Sequence, residues 1–419
     1  MKLQAGTLLF ALAISLVMGM ITSSMLINEQ YNRILIHNDV IREEVVRNAL
    51  SGINYLCATA PENSSFDDNI DLFSRGKDSV HVQRKPWGMY DVLIATAHTG
   101  NQEFQRIALA GTQRDLDNSY ALWLGDMDRA LQVCGTTELK GKCFLPRAGV
   151  ERAYLEGKGY TGRQLVYGPT LPSSRFVPQC NKERVHILES LLKEDASDDD
   201  SLVAWSELSA GDTAWCSFSG PVCRVDEKMP LIISGIFLEG QFCIRSSVSI
   251  LVKSSATLTN VILIAPKITV EDETKGTFQL IARDSIIIGK NAELTYPSAV
   301  CVCCDPSSPL KNTIALNEGS TIEGTVFGFR TDELIQRQLL IDIRKDCIVR
   351  GDIYTNDLLD LKGTVYGSVT CQKLTLTTNS ARYENTLLDA VIDNTTENAP
   401  PKGCALLSTQ RKEVINWLD

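Results

Sequence analysis

From Thr7 to Leu26 the chain runs for twenty residues without a charge, with its amine and Lys2 ahead of the run. At ~1.5 Å per residue such a helix crosses a ~30 Å hydrocarbon core, so residues 7–26 read as a transmembrane helix. Past Leu26 the pattern changes but does not stop. Ile27, Tyr31, Ile34, Ile41, Val45, Ala49, Ile53 and Leu56 recur every three or four positions, and Arg33, Asp39, Arg42, Glu43, Glu44 and Arg47 fill the other faces. This predicts an amphipathic helix over 27–60. With no proline between 7 and 57, one helix of about 75 Å is allowed. Its stripe suits packing on the protein's own next domain or on a helix of another subunit. Positive charge at the very start predicts export of everything beyond the span. A cleaved signal peptide is the competing reading, but its apolar core is shorter and ends at a small-x-small site.

Between 61 and 133 the period falls to two. Ser79–Val82, Tyr90–Ala95 and Phe104–Leu109 alternate, and Asp117–Arg129, centred on Ala121–Asp126, reads as a further hairpin, so a small antiparallel β-domain is expected. Residues 134–395 are expected to form one wound body, in which apolar runs recur every ten to fifteen positions from Ile232 to about Thr378, separated by glycines and polar turns. Within this body a phrase recurs: apolar, charged, glycine, any residue, small apolar, aromatic. Its copies are Leu139–Phe144, Ile322–Phe327, Val349–Tyr354 and Leu361–Tyr366. Alternating strands with glycine at the corners suit a β-solenoid, or as second choice a large sandwich. An acidic stretch near 194–201 reads as a solvated connector, because it lacks the alternating spacing of a calcium loop. Asp332–Gln338 is a candidate helical insertion. The tail, 396–419, is expected to hold a short helix over Lys412–Leu418 that caps the wound body.

Composition agrees with a folded chain: 419 residues, 44% apolar and 22% charged. A net charge of −10 offers no basic stripe for phosphates, which argues against a nucleic-acid partner. Thirteen cysteines are many, and with an exported body they point to disulfides. The Cys301-Val302-Cys303-Cys304 cluster is the main chemical candidate. Alternation places Cys301 and Cys303 on one face and Cys304 on the other. No second CxxC completes a zinc site, so all three read as disulfide cysteines or buried thiols. Four isolated histidines make no metal motif, and no nucleotide or hydrolase signature occurs. Asp284, Asp305, Asp342 and Asp346 are carboxylates that a polysaccharide-cleaving solenoid would use, though solvated charges are the plainer reading. No cofactor, metal or catalytic residue is expected.

The leader Met1–Gly6 ending in glycine, the apolar half-helix and the amphipathic half-helix resemble the N-terminus of type IV pilins and pseudopilins. That resemblance implies a processing site between Gly6 and Thr7 and assembly through the N-terminal helix. The cluster Gly363–Val369 resembles bactofilin-type β-helices. It is also similar to a group of exported bacterial β-helix proteins sharing Leu-Val-Tyr-Gly (165–168), Tyr-Pro-Ser (296–298) and Tyr-Glu-Asn (383–385). Together these imply a non-enzymatic, single-pass membrane-anchored protein with its bulk extracytoplasmic. It would contact lipid through 7–26 and serve as a pseudopilin-like or envelope-assembly component. The alternative is an envelope β-helix that binds or cleaves polysaccharide.

Overall fold

A computed structural model describes residues 5–59, 65–72, 78–113, 119–193, 200–208, 211–304, 312–331, 338–395, 402–404 and 412–418. Helix α1 (Ala5–Ala58) is continuous. It is followed by β1 (Phe66–Ile70), β2 (Asp78–Trp87), β3 (Tyr90–Thr99) and β4 (Gln102–Gln113), which are neighbours in that order in one sheet. Two-residue turns join β2 to β3 and β3 to β4, so these neighbours run antiparallel. By its internal contacts the chain divides into two compact units. One holds residues 1–55, 67–83 and 94–106; the other holds 56–66, 84–93 and 107–419.

In the first unit α1 buries only its distal end. Every residue from Gly6 to Val40 is exposed, whereas Val45, Ala49 and Ile53 are fully buried. Gly52 fixes how closely the helix packs. A Cβ there would lie 2.8 Å from Val80 and 2.9 Å from Ala95, inside any allowed contact. The predicted stripe is therefore two different surfaces, packed on the chain's own strands beyond Val45 and open before Ile41.

The second unit is built on parallel strands whose hydrogen-bonded network closes on itself. Its core is a set of aligned columns. Val225 pairs with Ile244, Ile244 with Leu263, Leu263 with Leu280, Leu280 with Val300, Val300 with Val326, and Val326 with Ile353. All are buried and belong to one apolar cluster. Each such side chain contributes about 1.5–3 kcal/mol on leaving water, and each strand's backbone groups are satisfied by its neighbours.

After Ile353 comes Val369, and after Val369 comes Leu122, from the early part of the chain. Leu122 then pairs with Cys143. The segment after β4 thus extends the stack beyond its last-made strands, and the chain starts again from Ser201, whose strand pairs with Cys223–Arg224. Two expectations change accordingly. Ala121–Asp126 is not a hairpin, since Leu122–Leu124 is a parallel strand between 369–371 and 143–144. Leu131–Cys134 likewise pairs in parallel with Thr386–Leu388. The small sheet therefore ends at Gln113 in the early chain.

The glycine phrase also stacks differently from its sequence alignment. Gly324 pairs with Gly351, but the next glycine in that column is Gly367, not Gly363. Val365 of the last copy lies beside Val349, the first position of the third copy. Leu139 of the earliest copy sits next to Ile392, at the far end of the same column.

Two further elements differ from expectation. Lys182–Lys193 is a helix, α2, headed by Asn181, whose Oδ1 accepts from the Glu183 N–H at 3.0 Å. Lys412–Trp417 is an antiparallel strand on Ala108–Thr112 of β4, not a helix, because an open sheet edge offered it a full ladder. Most of the acidic connector (194–199) and of the candidate insertion (332–337) lies outside the described residues.

Candidate functional site

The proximal part of α1 is the first candidate. It is long and apolar enough to cross a membrane, and its most apolar stretch has no buried residue. Two of its hydroxyls are satisfied within the helix itself. Ser15 Oγ donates to the Ala11 carbonyl at 2.9 Å and Thr22 Oγ1 to that of Met18 at 3.0 Å. Gly6 and Thr7 lie in the first turns, both exposed. The first ion pair, Glu29 with Arg33 at 3.1 Å, follows just past Leu26.

On the second unit a node of charge joins three separate segments. Asp91 of β3 is 1% exposed and accepts from Arg184 Nη2 of α2 at 2.9 Å. It also meets Arg84 Nη2 at 3.3 Å and the Lys412 ammonium of the C-terminal strand. Burial pushes the Asp91 carboxyl up, but Arg184, Lys412 and Arg84 together hold it below the ordinary carboxylate range. Lys412 is lowered as well, which for an ammonium disfavours the charged form: burial first, then Arg84 and Arg184, outweigh its attraction to Asp91. The node thus favours the charged form of Asp91 and disfavours that of Lys412, because one carboxylate is shared among three cations. This node positions α2 and the tail and leaves no open face for a ligand.

Nearby, Gln279 points outward from its strand and grips the β2–β3 turn. Its Oε1 accepts from Met89 N–H at 2.7 Å while its Nε2 donates to the Trp87 carbonyl at 3.0 Å. Trp87, between Pro86 and Gly88, is buried and meets the Phe218 ring edge-on at 5.5 Å, a core residue anchored at the turn.

Among the carboxylates named from sequence, Asp284 is buried, Asp346 occupies a left-handed turn (φ 59°) and Asp305 lies outside the described residues. Asp342 is brought beside a residue the sequence reading passed over, its register partner Asp360. Each has a buried Oδ1 without a hydrogen-bond partner among the described residues. Asp360 is pushed up mainly by burial and further by Asp342, against Lys362 and the Thr377 N–H, which lower it. The adjoining groove, about 640 Å³, is lined by Arg344, Lys345, Lys362 and Thr377 among others. Elsewhere the outward charges pair with each other, as in Arg350 with Glu323 (3.6 Å) and Lys140 with Asp393 (3.6 Å).

Cys301, Cys303 and Cys304 are all buried free thiols. Cys304 joins the interior cluster and the other two face outward, as alternation required. The disulfide lies elsewhere, between Cys216 and Cys223. Its signal was the turn Ser217-Phe218-Ser219-Gly220 between two cysteines seven residues apart. Among the described residues no three His, Cys, Asp or Glu side chains form a metal-holding group.

No protein-family model matches this chain, and no curated protein matches it. Among solved structures it is similar to the competence-associated pilin ComZ from Thermus thermophilus. The identity is 9% and the TM-score 0.21, over 85% of this chain and 87% of that one. A score that low carries no argument about fold or function, which rest on the geometry above.

Proposed function

We propose that this is a non-enzymatic structural protein, anchored in a membrane by residues 7–26 with its bulk on the extracytoplasmic side. In this reading it is a pseudopilin-like or envelope-assembly component. The carrying observation is that α1 stays exposed from Gly6 to Val40 yet continues without a break into residues buried on the chain's own strands. Burying that surface requires lipid for the first half and either lipid headgroups or another helix for the second. The parallel strands are read as a wound β-solenoid. Supporting this are columns that recur in parallel register and the Gly324–Gly351–Gly367 corner. N-terminal sequencing of membrane-extracted protein tests the pilin-like part. A chain beginning at Thr7 supports processing; an intact Met1 removes it.

A second reading, binding or cleavage of an envelope polysaccharide, draws on the adjacent Asp342 and Asp360 beside a polar groove. Incubation with envelope polysaccharides, followed by product analysis for wild type and Asp360→Asn, tests it. Wild-type activity lost in the variant would favour this reading over the first.

A further inference from the structure

Four thiols from distant parts of the sequence gather on the outward side of the strands Glu293–Cys304 and Thr321–Arg330. Cys301 and Cys303 place their Sγ atoms 3.6 Å apart. Cys404, on the short described segment 402–404, donates its Sγ–H to Thr325 Oγ1 at 3.2 Å. Thr325 is the register partner of Ala299, and Cys301 is the next residue on the same side of that strand, so Cys404 stands diagonal to Cys301. Cys180, just ahead of α2, interacts with the Tyr354 hydroxyl, and Tyr354 is the register partner of Phe327, itself the partner of Cys301. Burial comes first in pushing the Cys180, Cys301 and Cys404 thiols up, to about 12 for Cys180, and the neighbouring Cys404 adds to the rise at both Cys180 and Cys301.

Cys301 and Cys303 are poorly placed to pair with each other. Two residues along an extended strand separate their Cα atoms by roughly 6.6–6.8 Å with side chains standing side by side. Disulfides need Cβ atoms about 3.5–4.5 Å apart and converging. Cys404 is different, because it belongs to a separate segment and reaches the outward side of these strands at Thr325.

We propose that Cys404 forms a disulfide with Cys301 or Cys180, making this outward thiol cluster a covalent clasp on the C-terminal segment. The chemistry is thiol–disulfide exchange with a small disulfide such as oxidised glutathione. The Cys404 thiolate attacks it, forming a mixed disulfide and releasing one glutathione thiolate. The thiolate of Cys301 or Cys180 then attacks the Cys404 sulfur, expelling the second. The two protein thiols lose two electrons and two protons, the disulfide is reduced to two thiols, and the balance closes. Because burial disfavours the Cys180, Cys301 and Cys404 thiolates, exchange is fast only while the 402–404 segment is undocked.

The test uses the full chain in detergent, equilibrated over a series of oxidised-to-reduced glutathione ratios. It is then acid-quenched, alkylated under denaturing conditions and digested without reduction for mass spectrometry. The expected result is a linked peptide joining Cys404 to Cys180 or Cys301, increasing with oxidised glutathione and absent in Cys404→Ser, which retains the Cys216–Cys223 link. Alkylated Cys404 at every ratio overturns the proposal, as does Cys404 linked to any other cysteine or to a second chain. The readout is independent of cellular compartment, so it stands or falls apart from the proposed function.

Discussion

A Cβ built on Gly351 would lie 1.8 Å from the carbonyl oxygen of Gly324, its partner on the adjacent parallel strand. Gly324 stands in the same relation to Ser298, also at 1.8 Å, and both glycines have φ near +143°. Backbone approaches backbone at this corner, so nothing can move aside cheaply. Gly351→Ala is expected to cost more than about 3 kcal/mol. Gly220→Ala, where the nearest atom would be 3.8 Å away, should be close to neutral. Thermal unfolding of both variants in the same detergent checks the contrast.

The node at Asp91 predicts an asymmetry between its members. Replacing the carboxylate leaves three buried cations without it, so Asp91→Asn should destabilise by about 3–5 kcal/mol. Lys412→Met removes a cation that burial and two neighbouring guanidiniums already disfavour, and should cost less than about 1 kcal/mol. The pH dependence follows from the depressed carboxyl. Its contribution is complete above the unfolded value near ~3.9 and is lost as pH falls through the lower folded value. Wild type should therefore lose more stability than Asp91→Asn on acidification below about pH 4. Lys412, depressed in the folded state, works in the opposite range. The unfolded chain binds the extra proton there, so stability rises with pH as it climbs through the folded value toward ~10.4. Denaturant titrations at several pH values read both effects.

Gln279 satisfies two backbone groups of the β2–β3 turn at once. Gln279→Ala should cost about 2–4 kcal/mol by leaving the Met89 N–H and Trp87 carbonyl without it. Gln279→Glu keeps one acceptor and loses one donor, so it should fall between. Hydrogen exchange at the Met89 amide gives a local reading that a general loss of packing would not single out.

How much of this was legible in the sequence depended on whether the signal was local. The charge-free run of 7–26 and the 3–4 stripe after it predicted α1 because both are properties of adjacent residues. Strand existence was legible in the same way, and so were the opposite faces of Cys303 and Cys304. The partner of Leu122 was not, since nothing near it names Val369. The tail misled for a related reason. Val414, Ile415 and Trp417 fit a helix face, but the edge of β4 is distant in sequence and decided the outcome. Helix α2 did carry a readable signal, with Asn181 as its cap and Val185, Leu188 and Leu192 at helical spacing. The acidic run beside it drew the reading toward a connector. For the candidate site, Asp342 was visible but its neighbour Asp360 was not, because only the register brings them together.

Protease accessibility of the full chain in sealed spheroplasts tests the central claim most directly. A membrane-anchored protein with its body outside should lose the 107–418 region to external protease while a cytoplasmic marker stays intact. Survival of that region until detergent is added would contradict it.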